Sequence, residues 1–226
     1  MKPTNCAHRV APGLSCTVPA AQAQTEKVLY SFCSQQNCTD GEVPEAGLIN
    51  VYGTLYGTTA GGGTYGYGTV FSLDLETGAE TVLWSFGSGT DGTYPVGGLI
   101  TIKHTHTLYG TTDDGGGVTN CPYYYGCGTV FSLDLKTGVE TVLHAFGSGS
   151  DGVWPLAGLT NVKGTLYGTT DNGGTDYEGT VFSVDPTTGA EAVVWSFDGL
   201  YCKSMVPGPA FTTETARHAV GRRLLL

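Results

Sequence analysis

The chain has 226 residues, 36 of them Gly, with 13% charged and 40% hydrophobic residues and a formal net charge of -10. This composition excludes a disordered charged tail, a collagen-like chain (no three-residue glycine period, only 10 Pro) and a coiled coil. No run approaches the length of apolar sequence that a membrane-spanning helix needs, and the acidic balance disfavours nucleic acid and anionic membrane surfaces as partners.

In chain order, residues 1–25 read as a leader. Ala21-Gln22-Ala23 fits a small-x-small cleavage site, but MKPTNCAHRVAPGLSCTVP lacks the apolar stretch of a secretion signal, so the segment reads as a remnant of one. EKVLYSF (26–32) has the composition of a strand, and FCSQQNCTDG follows it as a polar loop.

Self-similarity then dominates. LYGTT occurs at 55–59, 108–112 and 166–170, with starts 53 and 58 residues apart, and GTVFS occurs at 68–72, 128–132 and 179–183. TGAETVLWSF, TGVETVLHAF and TGAEAVVWSF follow, and DGEVPEAGL, DGTYPVGGL and DGVWPLAGL lead into each unit. Each unit reads as four short strands: one after Gly-Leu, then TLYGTT, GTVFS-L/V-D, and the run after Thr-Gly. Turn-forming Gly, Asp, Asn and Pro separate them. Four antiparallel strands in a repeat of about 50 residues is the arithmetic of a β-propeller blade. We therefore expect an all-β, β-propeller-like fold of three four-stranded blades at about 47–86, 98–146 and 158–197, within a repeat domain at 26–199. The segment 26–32 reads as an extra fourth-type strand. The Gly of LYGTT (Gly57, Gly110, Gly168) is expected to let adjacent backbones approach closely.

Three blades are fewer than the usual four to eight, which points to an incomplete or open propeller. Residues 200–226 match nothing earlier and are expected to be a disordered, non-repeat tail from a truncated or frameshifted end. Exposed end faces then imply self-association.

The recurring string LYGTT–GG–GTVFSLD–TG–ETVL–F–DG–P–GL resembles the GloVer tandem repeat of bacterial, often secreted, proteins, over about 26–199. The layout is also similar to NHL and kelch propellers, without matching their signatures. The resemblance implies an exported, propeller-like module with no defined catalytic residues.

Of the seven cysteines, Cys33 with Cys38 and Cys121 with Cys127 form close pairs in polar loops. They read as local disulfides and hence as signs of an oxidising compartment, in preference to a zinc site, whose spacings they do not match. Tyr65 and Tyr67 in the first Gly-rich loop, and Tyr123, Tyr124 and Tyr125 in the second, are the candidate ligand-binding residues, offering rigid amphipathic contact area to carbohydrate or to a protein surface. Asp113, Asp114, Asp171 and Asp176 read as turn residues rather than calcium ligands, and Asp40, Asp91 and Asp151 as turns between blades. His104 and His106, two apart on what would be one strand face, lack an identifiable third ligand and read as a solvated loop or edge rather than the start of a metal site, and His144 replaces a Trp as a packing residue. No nucleophile elbow, phosphate loop or dinucleotide fingerprint is present, so no catalytic residue, metal or cofactor is assigned.

The function expected is that of a non-catalytic, extracellular or cell-surface binding or display scaffold. The alternatives are a propeller hydrolase or lyase acting on polysaccharide, and a structural fragment without a ligand.

Overall fold

The computed structural model describes residues 26–117, 121 and 125–199. The first sheet contains β1 (Ile49–Val51), β2 (Thr54–Thr59), β3 (Thr69–Leu73) and β4 (Glu80–Ser85). The second contains β5 (Ile100–Thr101), β6 (Thr107–Thr112), β7 (Thr129–Asp134) and β8 (Glu140–Ala145). After β9 (Gly152–Val153), the third sheet is built from β10 (Thr160–Val162), β11 (Thr165–Thr170), β13 (Thr180–Val184) and β14 (Glu191–Ser196). The short β12 (Asn172–Gly173) lies in the loop between β11 and β13. Each large sheet is antiparallel with strands in sequence order, and β12 pairs with β9 in a separate ribbon. The only helical element among the described residues is a single 3-10 turn at Gln36–Cys38. The chain is therefore all-β, with three four-stranded, blade-like sheets that do not close on one another.

Each blade uses the same internal device. LYGTT and GTVFS pair so that Gly57, Gly110 and Gly168 lie opposite Phe71, Phe131 and Phe182. A Cβ on Gly57 or Gly110 would sit 2.7 or 2.6 Å from the tip of that Phe ring, and Gly168 is as tightly covered by Phe182. The glycine thus seats an aromatic ring rather than admitting a neighbouring backbone, which corrects the sequence expectation. Threonine hydroxyls join the ends of the same two strands, with Thr59 to Thr69 and Thr112 to Thr129 at 2.8 Å and Thr170 to Thr180 at 2.9 Å.

The blades are joined at seams. The Phe that follows each fourth strand lies edge-on against the seated Phe of the next blade: Phe86 on Phe131 at 5.0 Å and Phe146 on Phe182 at 4.9 Å. Phe32 meets Phe71 in the same way at 4.7 Å. The expected strand at 26–32 is not formed, and the segment pairs with no strand among the described residues. Its Tyr30 and Phe32 nonetheless fill the seam positions. Among the described residues blade 3 has no covering neighbour: Phe86 and Phe146 are fully buried, whereas Phe197 is 45% exposed.

A carboxylate fixes each connection. Tyr30 Oη donates to Asp40 Oδ2 at 2.8 Å, Trp84 Nε1 donates to Asp91 Oδ2 at 3.2 Å, and His144 Nε2 pairs with Asp151 Oδ2 at 3.1 Å. Backbone N–H groups of Ser34, Gly87 and Gly147 add further bonds to the same carboxylates. The Asp-Gly motifs are thus inter-blade turns. Burial raises the Asp40 carboxyl, but bonds from Ser34, Tyr30 and Gln35 outweigh it and hold the group at about 2.

A glutamate at the start of each fourth strand, Glu80, Glu140 or Glu191, turns toward the same seam. The Oε1 of each is buried without a hydrogen-bond partner among the described residues. Burial, followed by the charge of Asp40, pushes Glu80 up to about 7, and burial, followed by Asp91, pushes Glu140 up to about 8. Burial also raises Glu191.

Two predictions follow from the seams. Phe131→Ala should destabilise by about 3–5 kcal/mol in urea unfolding, or prevent folding, because a fully buried ring is lost from the central blade. At a protein concentration where the chain is monomeric, Phe197→Ala should shift the midpoint little, and equal effects there would refute the seam assignment. Because Glu80 and Glu140 hold protons in the fold that the unfolded chain releases near 4.5, stability should fall as pH rises from about 5 to about 8 and then level off. Glu140→Gln should flatten that decline, and a urea midpoint that rises over the same window would contradict it.

A candidate binding face at the loop end

The loops between second and third strands and the connectors between blades emerge at one end of the sheets, as the antiparallel order requires. There they pair: Glu42 bridges Gly61, Thr93 bridges Asp114, and β9 pairs with β12. In each connector the residue before Pro is held at positive φ, at 58° for Val43, 57° for Tyr94 and 60° for Trp154. Such a backbone costs on the order of 1–3 kcal/mol for a non-Gly residue and persists only where surrounding bonds fix it. Here Tyr94 N–H donates to Tyr67 O at 2.9 Å and its carbonyl accepts from Asp113 N–H at 3.0 Å. Trp154 repeats the pattern with Cys127 and Asp171. The strained residue therefore clamps the loop of one blade to the loop of the next.

These clamps gather aromatic and acidic side chains. Tyr67 meets Tyr94 edge-on at 5.7 Å. Burial raises the Tyr94 phenol, followed by the influence of Tyr67, Asp114 and Tyr125. Tyr67 and Tyr125, singled out from sequence, thus converge on Tyr94, which sequence reasoning missed. Its signal was the bulky aromatic between Asp-Gly and Pro, which reads as ordinary turn chemistry. Trp154 reaches Asp114 with a hydrogen bond that partly offsets the upward push of burial on that carboxyl. Tyr65 lines a cleft of about 420 Å³ with Trp84, Ser85, Ser88 and Thr64. The third loop presents an exposed Tyr177 at the rim of a second cleft of about 510 Å³, beside Asp151, Asn172 and Thr175. Tyr123 and Tyr124 lie outside the described residues.

Asp113, read as a turn residue, is also drawn into this end. Burial, then Asp114 and Asp171, push its carboxyl up to about 6. Three carboxylates from two blades therefore influence one another. The sequence could not bring them together, because two of them sit 57 positions or more from the third. His106 stacks on Tyr52 at 5.7 Å, in the hairpin region at the opposite end.

Disulfides brace the loop end. Cys33 is joined to Cys38, closing the turn before Asp40, and Cys121 is joined to Cys127, tying down the loop that carries Tyr125. The one group of three metal-ligating residues among those described is Cys33, Cys38 and Glu42, and its two sulfurs are bonded to each other. Mapping of peptides from non-reduced protein should recover both pairs. Alkylation of any of these four thiols without prior reduction would contradict the assignment.

Comparison with curated proteins gives no significant match. Among solved structures, the chain is similar to one described as a nidogen/laminin complex, with 13% identity, a TM-score of 0.43, and coverage of 64% of this chain and 44% of that one. It is also similar to TolB from Acinetobacter baumannii, with 15% identity, a TM-score of 0.40, and coverage of 65% and 30%. The chain thus spans less than half the length of either. The sequence pattern described as the Gloeobacter/Verrucomicrobia repeat matches residues 17–216, nearly the whole chain. The protein belongs to the Gloeobacter/Verrucomicrobia repeat family.

Proposed function

We propose that the protein is an exported, non-catalytic binding scaffold of the bacterial exterior, and that its loop end takes polyhydroxylated ligands, carbohydrate first. The observation that carries this reading is the edge-on contact of Tyr67 with Tyr94 at 5.7 Å across the seam between blades 1 and 2, beside the Thr93–Asp114 bridge and the backbone bond from Gly115 N–H to Tyr125 O at 2.9 Å. Aromatic faces stack on the apolar faces of sugar rings, and carboxylates accept from sugar hydroxyls. The clamped backbone supports such binding, because groups already fixed before a ligand arrives lose little entropy on binding it.

Export is supported by the two loop disulfides, which persist in oxidising compartments. No helix among the described residues is long and apolar enough to cross a membrane.

A second reading, an enzyme acting on polysaccharide, is favoured by Asp113 alone. A carboxyl poised near about 6 beside other carboxylates has the character of a general acid.

Titration of soluble polysaccharides against the protein tests both. Tyr67→Ala and Tyr125→Ala should each weaken binding about tenfold or more, with unchanged unfolding midpoints. Binding insensitive to both substitutions would overturn the proposed face. Release of reducing ends that disappears in Asp113→Asn would replace the scaffold by the enzyme.

A further inference from the structure

The two ends of the described array are complementary by repeat symmetry. At the seam between blades 1 and 2, Val51, Val70, Leu83, Trp84 and Phe86 of blade 1 pack with Leu99, Leu108, Phe131 and Leu133 of blade 2 in one apolar cluster. The positions equivalent to the first set in blade 3 are Val162, Val181, Val194, Trp195 and Phe197. Four of these five are exposed, and Val181 is only half-buried although Val70 and Val130 are fully buried. The positions equivalent to the second set in blade 1 are Leu48, Leu55, Phe71 and Leu73. Leu48 is 48% exposed where Leu99 is 2%, and Leu55 is half-buried where Leu108 is fully buried, while Phe71 and Leu73 are already buried, with Phe32 lying on Phe71. Each internal seam therefore specifies what the open faces fit: blade 3 fits the leading face of a blade 1, and blade 1 fits the trailing face of a blade 3.

We propose that two copies of this chain associate head to tail through these faces, blade 3 of each against blade 1 of the other, to close a six-bladed ring. A head-to-tail contact continues into a filament unless the rotation closes. The three described blades of each copy bring a pair to six, within the range in which propellers close. The occupant is a second copy because the interface continues a seam that the chain already makes twice with itself.

One segment competes. Phe32 of the same chain already lies on Phe71, over the seat that Gly57 provides. It belongs to a stretch with no strand pairing of its own, so it is displaced at lower cost than a strand held in a sheet. Phe197 of the partner takes that place and brings Trp195 and Val194 over Leu48 and Leu55. Both copies are strongly acidic, so association strengthens when salt screens their repulsion.

Light scattering coupled to size exclusion at about 0.15 M salt tests this, over about a hundredfold range of concentration. The full chain should approach twice its 23.5 kDa mass as concentration rises. Phe197→Asp and Leu48→Asp should each shift the species to monomer, with far-ultraviolet dichroism showing the fold retained. Phe32→Ala should lower the concentration at which the dimer forms. An equimolar mixture of Phe197→Asp and Leu48→Asp should recover a 1:1 dimer, because one of its two seams then joins two unaltered faces. A full chain that stays monomeric throughout overturns the proposal. So does a Leu48→Asp variant that dimerises like the unaltered chain, since that outcome marks a two-fold contact through blade 3 alone. Failure of the mixture to associate, with both variants folded, also overturns it.

Discussion

A phenylalanine ring lying over a glycine, and met edge-on by the phenylalanine of the preceding element, is the constraint on which the rest of the structure depends. It couples the two levels of the fold. Within a blade, Gly57, Gly110 and Gly168 make room for the ring tips of Phe71, Phe131 and Phe182 over the neighbouring strand. Between blades, the same rings receive Phe32, Phe86 and Phe146. A side chain at the glycine would lift the ring and open the seam, while loss of the ring would leave a void in two sheets at once. Edge-to-face geometry places the positive ring edge on the negative ring face, so the contact sets orientation as well as burying area.

Around that contact the seam combines opposite electrostatic solutions. Asp40, Asp91 and Asp151 are buried but hydrogen-bonded, each to an aromatic N–H, an O–H or an imidazole, and they hold the connector as a fixed turn. Glu80, Glu140 and Glu191 are pressed toward the same seams with an orphaned oxygen each, and burial raises all three carboxyls toward the neutral acid. An ionised carboxylate needs donors to offset desolvation, and the bonds that the aspartates receive are what the glutamates lack. The strained residues before each proline add the third component, joining consecutive loops through backbone bonds and thereby drawing Tyr67, Tyr94 and Tyr125 together.

The blades were legible in the sequence because strand pairing within a blade repeats in register. LYGTT against GTVFS, and Thr-Gly before the fourth strand, report local geometry through residue type and spacing. The seams were less legible, because they join positions related by the repeat rather than by neighbourhood. Gly57 reads in the sequence as a site of close backbone approach, since nothing in the string says that the atom above it belongs to a ring. The segment 26–32 has strand composition but lacks a partner, and propensity alone does not supply the hydrogen bonds of a sheet. At the loop end, Tyr65, Tyr67 and Tyr125 stood out as aromatics among glycines. Tyr94 and Asp113 did not, because a residue before proline and an aspartate before glycine look like turn chemistry until the fold sets them beside side chains from another blade.

The central claim is that adjacent blades are energetically coupled through the paired rings, and a double-mutant cycle on Phe86 and Phe131 tests it most directly. Chemical unfolding of Phe86→Leu, Phe131→Leu and the double variant gives the coupling without removing all of the buried volume. The account predicts a coupling of about 0.5–1.5 kcal/mol, as for buried edge-to-face aromatic pairs, and a smaller value for the non-contacting pair Phe86 and Phe182. Additive losses for Phe86 and Phe131 within about 0.3 kcal/mol would contradict it, because the blades would then be stabilised independently.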